Sequence, residues 1–306
     1  LRKYFRKASL SRIYKMIRKD VRVNGKKTAI ETFLMEGDLV DIYISGEEAA
    51  QLRETKKTVR ALRQFTICYE DKQLLVVSKP YGLLTHGDST EKKNTLANQV
   101  LGYLTESGQY LPRIEKTFVP SPVNRLDRNT TGLVIFGKDA ETLKRLNKMI
   151  RQRNSIEKYY LTIVSGNLTA PLVLRDSMTK DTELNKVTIL DEADDQGKWM
   201  ESRIEPQGHS NPGSKAQEYT LVQVQLITGR SHQIRAQLAA AGYPIIGDVK
   251  YGNAKINREM KARFGLTTQL LHAYKLIIEG NVVEAPVPEA FQRIAGELIN
   301  DFKRTR

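Results

Sequence analysis

The sequence holds little of what metal-dependent and redox enzymes need. Cys68 is the one cysteine among 306 residues, which excludes an internal disulfide and any zinc cluster built on thiolates. Of four histidines, His86, His232 and His272 lie in patterned stretches, but their spacings match no zinc pattern, so no metal is expected. No motif for a redox cofactor or an energy source is present, and none is expected to be used. Long apolar runs are missing too: nothing approaches the length that spans a bilayer, and the first residues are too basic and too periodic for a signal sequence. These absences fit a cytoplasmic protein without a membrane partner, and a monomer is expected. The sequence opens on Leu1 and not Met, so the natural chain is expected to begin earlier.

Acid is scarce in one place above all. Residues 1–30 carry Arg2, Lys3, Arg6, Lys7, Arg12, Lys15, Arg18, Lys19, Arg22, Lys26 and Lys27 against Asp20 alone, eleven bases less one acid, or +10 of the net +14. That concentration is the electrostatic footprint of a module that binds a polyanion. Elsewhere the composition, 40% hydrophobic and 27% charged, describes a globular protein long enough for a sizeable core and two domains.

Periodicity gives the local elements. Leu10, Ile13, Tyr14 and Ile17 follow a helical stripe with Ser9 or Ser11 as N-cap, leaving Arg12, Lys15 and Lys19 largely off it. Val21-Arg22-Val23 reads as a strand closed by the hairpin turn Asn24-Gly25, with Lys26 just beyond, and Leu39 to Ile44 as a closing strand. Residues 46–63 are polar and poorly patterned, a linker. Leu74 to Val77 and Leu133 to Phe136 read as buried strands, Asp139 as the cap of a helix over 140–153, and 155–166 as extended. Residues 205–217 read as a mobile loop, and Val222 to Leu226 as a half-buried strand. Ser231 is the expected cap of a helix with Ile234, Leu238 and Ala241 inside, and a last helix carries Phe291, Ile294, Ala295, Leu298, Ile299 and Phe302. Strands and helices do not alternate strictly, so the expected class is α+β with a mixed, largely antiparallel sheet.

The chemistry centres on Asn124-Arg125-Leu126-Asp127-Arg128-Asn129-Thr130-Thr131-Gly132, a polar loop at the mouth of a buried strand. A loop so anchored can hold a reactive group rigidly, and Arg125 and Arg128 would favour the ionised form of Asp127. An isolated Asp in such a loop is more often a turn residue, so its surroundings decide.

The loop resembles the H-R-L-D-x-x-T-S-G signature of the RluA-type pseudouridine synthases, with Asn124 in place of His and Thr131 in place of Ser. Four later stretches resemble the same family in the same order. They are Lys158 to Gly166 (K-x-Y-x-A-x-V-x-G, with Thr162 for Ala), Leu226 to Arg235 (L-x-T-G-R-T-H-Q-I-R), Gly242 to Gly252 and Leu271-His272-Ala273. Glu70 through Lys79-Pro80-Tyr81-Gly82 to His86 resembles the family's opening. Residues 1–45, with Val21 to Lys26 as V-x-V-N-G-K, resemble the S4 RNA-binding domain.

The resemblance implies an S4-like domain over 1–45, a linker over 46–63 and a pseudouridine synthase domain over 64–306. It implies Asp127 as nucleophile, Arg235 as the cation that pairs with it and Tyr160 as the pocket tyrosine, with Ile234 on the pocket floor. Arg230 is the rival cation and is given a phosphate instead; only the K-x-Y spacing prefers Tyr160 to Tyr159. Arg125, Arg128, Arg230, His232, Ile234, Arg12, Lys15, Lys19 and Lys26 are the expected RNA contacts. The expected partner is RNA, large-subunit (23S) ribosomal RNA or an assembly particle containing it. Transfer RNA is the alternative substrate, and a non-catalytic S4 ribosome-assembly factor the alternative of another class. Whether attack falls on the sugar or the base is open at this level.

Overall fold

The N-terminal stripe forms the helix that its spacing predicts, α1 (Leu10–Lys19), and Ser9 caps it by accepting the Arg12 N–H at 3.2 Å. The computed structural model describes all residues except 3, 6, 54–62, 113–117, 154, 182–185, 191–197, 211–216, 301 and 303–306. After α1 come β1 (Val21–Val23), β2 (Lys26–Lys27) and β3 (Val40–Ile42), a three-stranded antiparallel sheet in the order β2-β1-β3. Asn24 and Gly25 both take positive φ, 51° and 76°, as the tightest hairpin turn requires. The buried face of α1 is narrower than expected. Ile13 and Met16 are inside with Phe5 and Val21, whereas Leu10 and Tyr14 face solvent.

The expected linker is partly wrong. Residues Gly46–Arg53 form a helix, α2, whose Ala49 and Leu52, three apart, pack on the Phe5–Ile13–Met16 core. Ser45 accepts the Glu48 N–H at 3.1 Å, and the apolar pair is hidden among charged neighbours, so no stripe shows in the sequence. The rest of that stretch, up to residue 62, lies outside the described residues. The chain divides into units Leu1–Arg60 and Ala61–Arg306, so the first extends past residue 45.

The second unit runs β4 (Thr66–Glu70), β5 (Leu74–Lys79), α3 (Leu96–Glu106), β6 (Ser121–Pro122), β7 (Thr131–Gly137), α4 (Ala140–Gln152) and β8 (Ile156–Ser165). It continues through β9 (Leu172–Asp181), β10 (Lys186–Leu190), β11 (Lys198–His209), β12 (Tyr219–Leu226), α5 (Gln233–Ala240) and α6 (Ala254–Phe264). The last elements are β13 (Leu271–Ile278), β14 (Asn281–Glu284) and α7 (Glu289–Leu298). Among the described residues these strands form one 11-stranded sheet, ordered β10-β9-β11-β12-β8-β13-β7-β5-β4, with β14 on β13 and β6 on β7. Its pairings are antiparallel except β13 with β7, so the sheet is mixed and largely antiparallel, in an α+β fold.

β7 explains the run Leu133 to Phe136. Val134 and Phe136 enter the cluster that holds Tyr160 and Ile234, while Leu133 and Ile135 pack on Leu146 and Met149 of α4, so both faces are buried. Asp139 caps α4 by accepting the Thr142 N–H at 2.8 Å. Residues 205–209, expected in a mobile loop, are instead the end of β11, paired with β12 through a bulge between Pro206 and Gly208. The bulge absorbs the Pro and Gly that made the stretch read as loop; residues 211–216 are outside the described set. Among the described residues, no helix is long and apolar enough to cross a membrane.

Candidate active site

Gly132 fixes where the 124–131 loop ends. Its φ is +111°, and a Cβ there would stand 2.1 Å from the Ala273 carbonyl oxygen, so only glycine lets β7 approach β13 this closely. Ala273 pairs with Gly132 on one side and with Tyr160 on the other. Tyr160 therefore lies two strand spacings, roughly 10 Å, from the loop's last residues.

Three side chains then pin the loop. Asn124 donates its amide to Leu133 O at 3.1 Å and accepts the Ile135 N–H at 2.9 Å, so it extends the edge of β7. The buried Thr85 hydroxyl donates to Leu126 O at 3.0 Å and accepts the Leu126 N–H at 3.2 Å. Lys79, wholly buried, donates to Arg128 O at 2.9 Å, Leu83 O at 2.7 Å and Pro80 O at 3.0 Å. Asp127 is thus clamped on both flanks, by Thr85 before it and Lys79 after it. Burial pushes the Lys79 ammonium down to about 7, against the pull of the Asp127 charge.

Arg235 meets that loop from the first turn of α5. His232, at φ 54° and with no side-chain cap bond, precedes the helix, so the expected cap Ser231 is displaced by one residue. Gln233 secures the entry by accepting the Arg230 N–H at 3.0 Å and donating to Glu201 O at 3.0 Å. The Arg235 guanidinium, 5% exposed, donates from Nη1 to Asp127 Oδ2 at 3.0 Å. Its other edge is held by Asp248, Nε to Oδ2 at 2.6 Å and Nη2 to Oδ1 at 2.9 Å. Asp248 is itself buried and accepts the backbone N–H groups of Lys250 and Tyr251 at 2.9 and 3.1 Å. Burial raises its pKa, but the hydrogen bonds and charge of Arg235 outweigh that and hold the carboxyl below the usual range.

One cation is therefore shared by two carboxylates. Asp248 takes the bidentate edge, and Asp127 takes one bond through Oδ2 with its side chain about a third open. Among the described residues, Asp127 Oδ1 has no hydrogen-bond donor, so one oxygen is left for a substrate. Beside it, burial first and the Asp127 charge second push the Tyr160 phenol far up, which keeps it neutral at physiological pH. Tyr160 shares its apolar cluster with Leu126, Ile234 and Ala273, a greasy floor next to an anion.

The sequence profile of the RNA pseudouridylate synthase family matches residues 73–240, more than half the chain, and this span includes Lys79, Thr85, Asp127, Tyr160, Ile234 and Arg235 but not Asp248. The chain belongs to the RNA pseudouridylate synthase family. Similar proteins include the ribosomal large subunit pseudouridine synthases C of Escherichia coli K12 (31% identical, covering 95% of this chain and 88% of that one) and Pasteurella multocida (30%, 94% and 85%). Solved structures with the same fold include human RNA pseudouridylate synthase domain containing 4, at TM-score 0.57, 21% identity and coverage of 76% of this chain and 92% of that one. Human RNA pseudouridylate synthase domain containing 1 gives TM-score 0.56 at 19% identity, with 77% and 86% covered.

In this synthase the expected residues divide. Asp127, Arg235, Tyr160 and Ile234 come together, and His232 joins them, its Nε2 3.9 Å from Asp127 Oδ2 and its Nδ1 3.0 Å from the Tyr251 hydroxyl. Arg128 does not serve Asp127: its guanidinium turns away to Asp88 Oδ2 and the Thr90 hydroxyl, both at 3.2 Å. Arg125 and Arg230 are exposed on the surface. In the N-terminal unit, Lys15, Lys19 and Lys26 are exposed, but Arg12 is committed to Glu48 at 2.9 Å and Asp20 at 3.2 Å, so its charge is already neutralised. Sequence reasoning missed Asp248, Lys79 and Thr85. A glycine-flanked acid following Gly247 was the visible trace of the first; the other two carry no such trace.

Proposed function

We propose that this synthase converts uridines of large-subunit ribosomal RNA to pseudouridine, with Asp127 as nucleophile, and that its N-terminal unit is an S4-like RNA-binding module. The reaction breaks the N1–C1′ bond, turns the uracil and forms a C5–C1′ bond. The C5 proton goes to solvent and N1 gains one, so atoms balance without a second substrate. The observation that carries the reading is the division of labour at Arg235: Asp248 fixes it, and Asp127 is oriented by it with one oxygen left open. A carboxylate kept ionised in a confined site can act as a covalent catalyst.

Tyr160, held neutral by burial, is a stacking surface for the uracil and a proton donor or relay in its turn. A uridine must leave its stack to reach Asp127, at a cost of roughly a few kcal/mol. Phosphate contacts by the open Lys15, Lys19 and Lys26 help to offset it. The names of the similar bacterial proteins support ribosomal RNA as the substrate class.

The test is to incubate the protein with protein-free large-subunit ribosomal RNA and with transfer RNA, then map pseudouridine in each. Modification of the ribosomal RNA is expected; modification confined to transfer RNA overturns the substrate. Exchanging Lys15, Lys19 and Lys26 for Gln should lower the slope of log affinity against log salt by about 0.7–0.9 per lost phosphate contact. An unchanged slope would rule out this face of the module as the anchor.

A further inference from the structure

One buried cation in the catalytic unit has, among the described residues, no acid to balance it. Lys158, in β8, is 7% exposed, and among the described residues its ammonium has neither a hydrogen-bond acceptor nor a carboxylate partner. Buried lysines without a partner are costly and are kept for a reason. A neighbouring charge works against it: Arg153, the residue that ends α4, is a second cation, and burial followed by Arg153 lowers Lys158 to about 8. Arg153 is exposed and lies over the half-open Trp199 ring at 5.2 Å, and among the described residues it has no ion pair with an acid.

The position is as telling as the charge. Burial alternates along β8, with Ile156, Lys158 and Tyr160 inside and Glu157 and Tyr159 half-open, so Lys158 shares the face of Tyr160. Two residues of strand separate them by about 6–7 Å, comparable with the span from a nucleobase to its own phosphate. The ammonium lies beside the exposed Gly229, where a Cβ would stand 3.9 Å from Lys158 Nζ, an ordinary contact distance.

We propose that Lys158 holds a backbone phosphate of the substrate RNA next to the target uridine, with the exposed Arg153 as a second cation beside it. The assignment rests on RNA being the substrate. An anion entering here would satisfy a buried ammonium and relieve its repulsion with Arg153, so binding would supply what folding leaves unmet. Held there, the phosphate would set the ribose beside Asp127 while Tyr160 meets the base.

Lys158→Met keeps the aliphatic stem and removes the charge; Lys158→Arg keeps the charge. Both are made in the full chain and compared with wild type in steady-state pseudouridine formation, in RNA binding across a salt series and in thermal unfolding. The Met variant should raise KM and Kd roughly tenfold, with kcat little changed. Its salt slope should fall by about 0.7–0.9, the equivalent of one phosphate. Its melting temperature should hold or rise, since a destabilising buried charge is gone, and Arg should restore most of the affinity. An unchanged KM and slope, a loss confined to kcat, or a lowered melting temperature with activity lost in both variants overturns the proposal. Turnover by the wild type in the same assay tests the functional reading separately.

Discussion

Asp248→Asn perturbs the candidate site without touching Asp127, the proposed nucleophile. Asn keeps an oxygen for Arg235 Nη2 and for the Lys250 and Tyr251 N–H groups, but presents an amide N–H to Arg235 Nε where a carboxylate oxygen stood at 2.6 Å. Breaking a buried ion pair from one side costs about 3–5 kcal/mol. The lower end, about 3 kcal/mol, is expected here, because Asp127 remains to balance Arg235 and three of the hydrogen bonds survive. The acid side carries a second signature. Because the folded pKa of Asp248 is depressed, its contribution is complete above the unfolded value near 3.9 and is lost as pH falls through the folded value. The stability gap between wild type and variant should therefore be full at neutral pH and narrow in acid, where a protonated Asp248 resembles Asn. Arg235, no longer clamped, should misplace Asp127 and cut kcat by about a hundredfold, the usual effect of a displacement near 1 Å. Urea unfolding at neutral and acid pH and single-turnover kinetics read both. Wild-type turnover, or a stability loss under about 1 kcal/mol at neutral pH, refutes the claim that Asp248 fixes Arg235.

Other perturbations follow from the loop's anchors. As pH rises through about 7, Lys79 loses its proton and with it one of the three donors it shares among Arg128 O, Leu83 O and Pro80 O, which loosens the backbone after Asp127, so turnover should decline on the alkaline side. Stability should move the other way: the unfolded lysine keeps its proton up to about 10.4, so the unfolded state binds more protons and the fold gains stability between about 7 and 10.4. Turnover that is flat across that range refutes the clamp. Gly132→Ala puts a Cβ 2.1 Å from Ala273 O at a φ of +111°, so a loss above about 3 kcal/mol is expected; denaturation within 1 kcal/mol of wild type refutes the close approach. His272, driven down to about 4 mainly by burial, is neutral in the fold but protonated below about 6.5 when unfolded. Stability should thus fall as pH drops from about 6.5 towards 4, and His272→Asn should flatten that limb; an unchanged limb refutes the assignment.

What the sequence made legible was whatever is written in adjacent residues. The run Leu133 to Phe136 announces a strand buried on both faces, and Asn24-Gly25 announces a hairpin, because each depends on local conformation or a repeated period. Asp127, Tyr160 and Arg235 were reached through the resemblance of their motifs, and the fold brings them together from three elements. Asp248 lay in a recognised stretch, yet nothing local says that its two oxygens face Arg235, thirteen residues back. Lys79 stands in a stretch that resembles the family's opening, but lysine ordinarily faces water and nothing local says that carbonyls of Pro80, Leu83 and Arg128 converge on its ammonium and bury it. Arg128 misled for the complementary reason: adjacency to Asp127 in the chain says nothing about direction, and its guanidinium turns to Asp88. Helix α2 escaped because its two packing residues are too few to stand out among charges.

The most direct test of the account measures tritium release from RNA carrying 5-tritiated uridine, with wild type and Asp127→Asn side by side and the RNA affinity of both recorded. Release by wild type, none by the variant, and affinities within a few-fold of each other are the expected result, since the proposed role of Asp127 is in chemistry and not in binding. Release by the variant at a wild-type rate, or loss of its RNA binding together with its activity, would contradict the assignment of Asp127 as nucleophile.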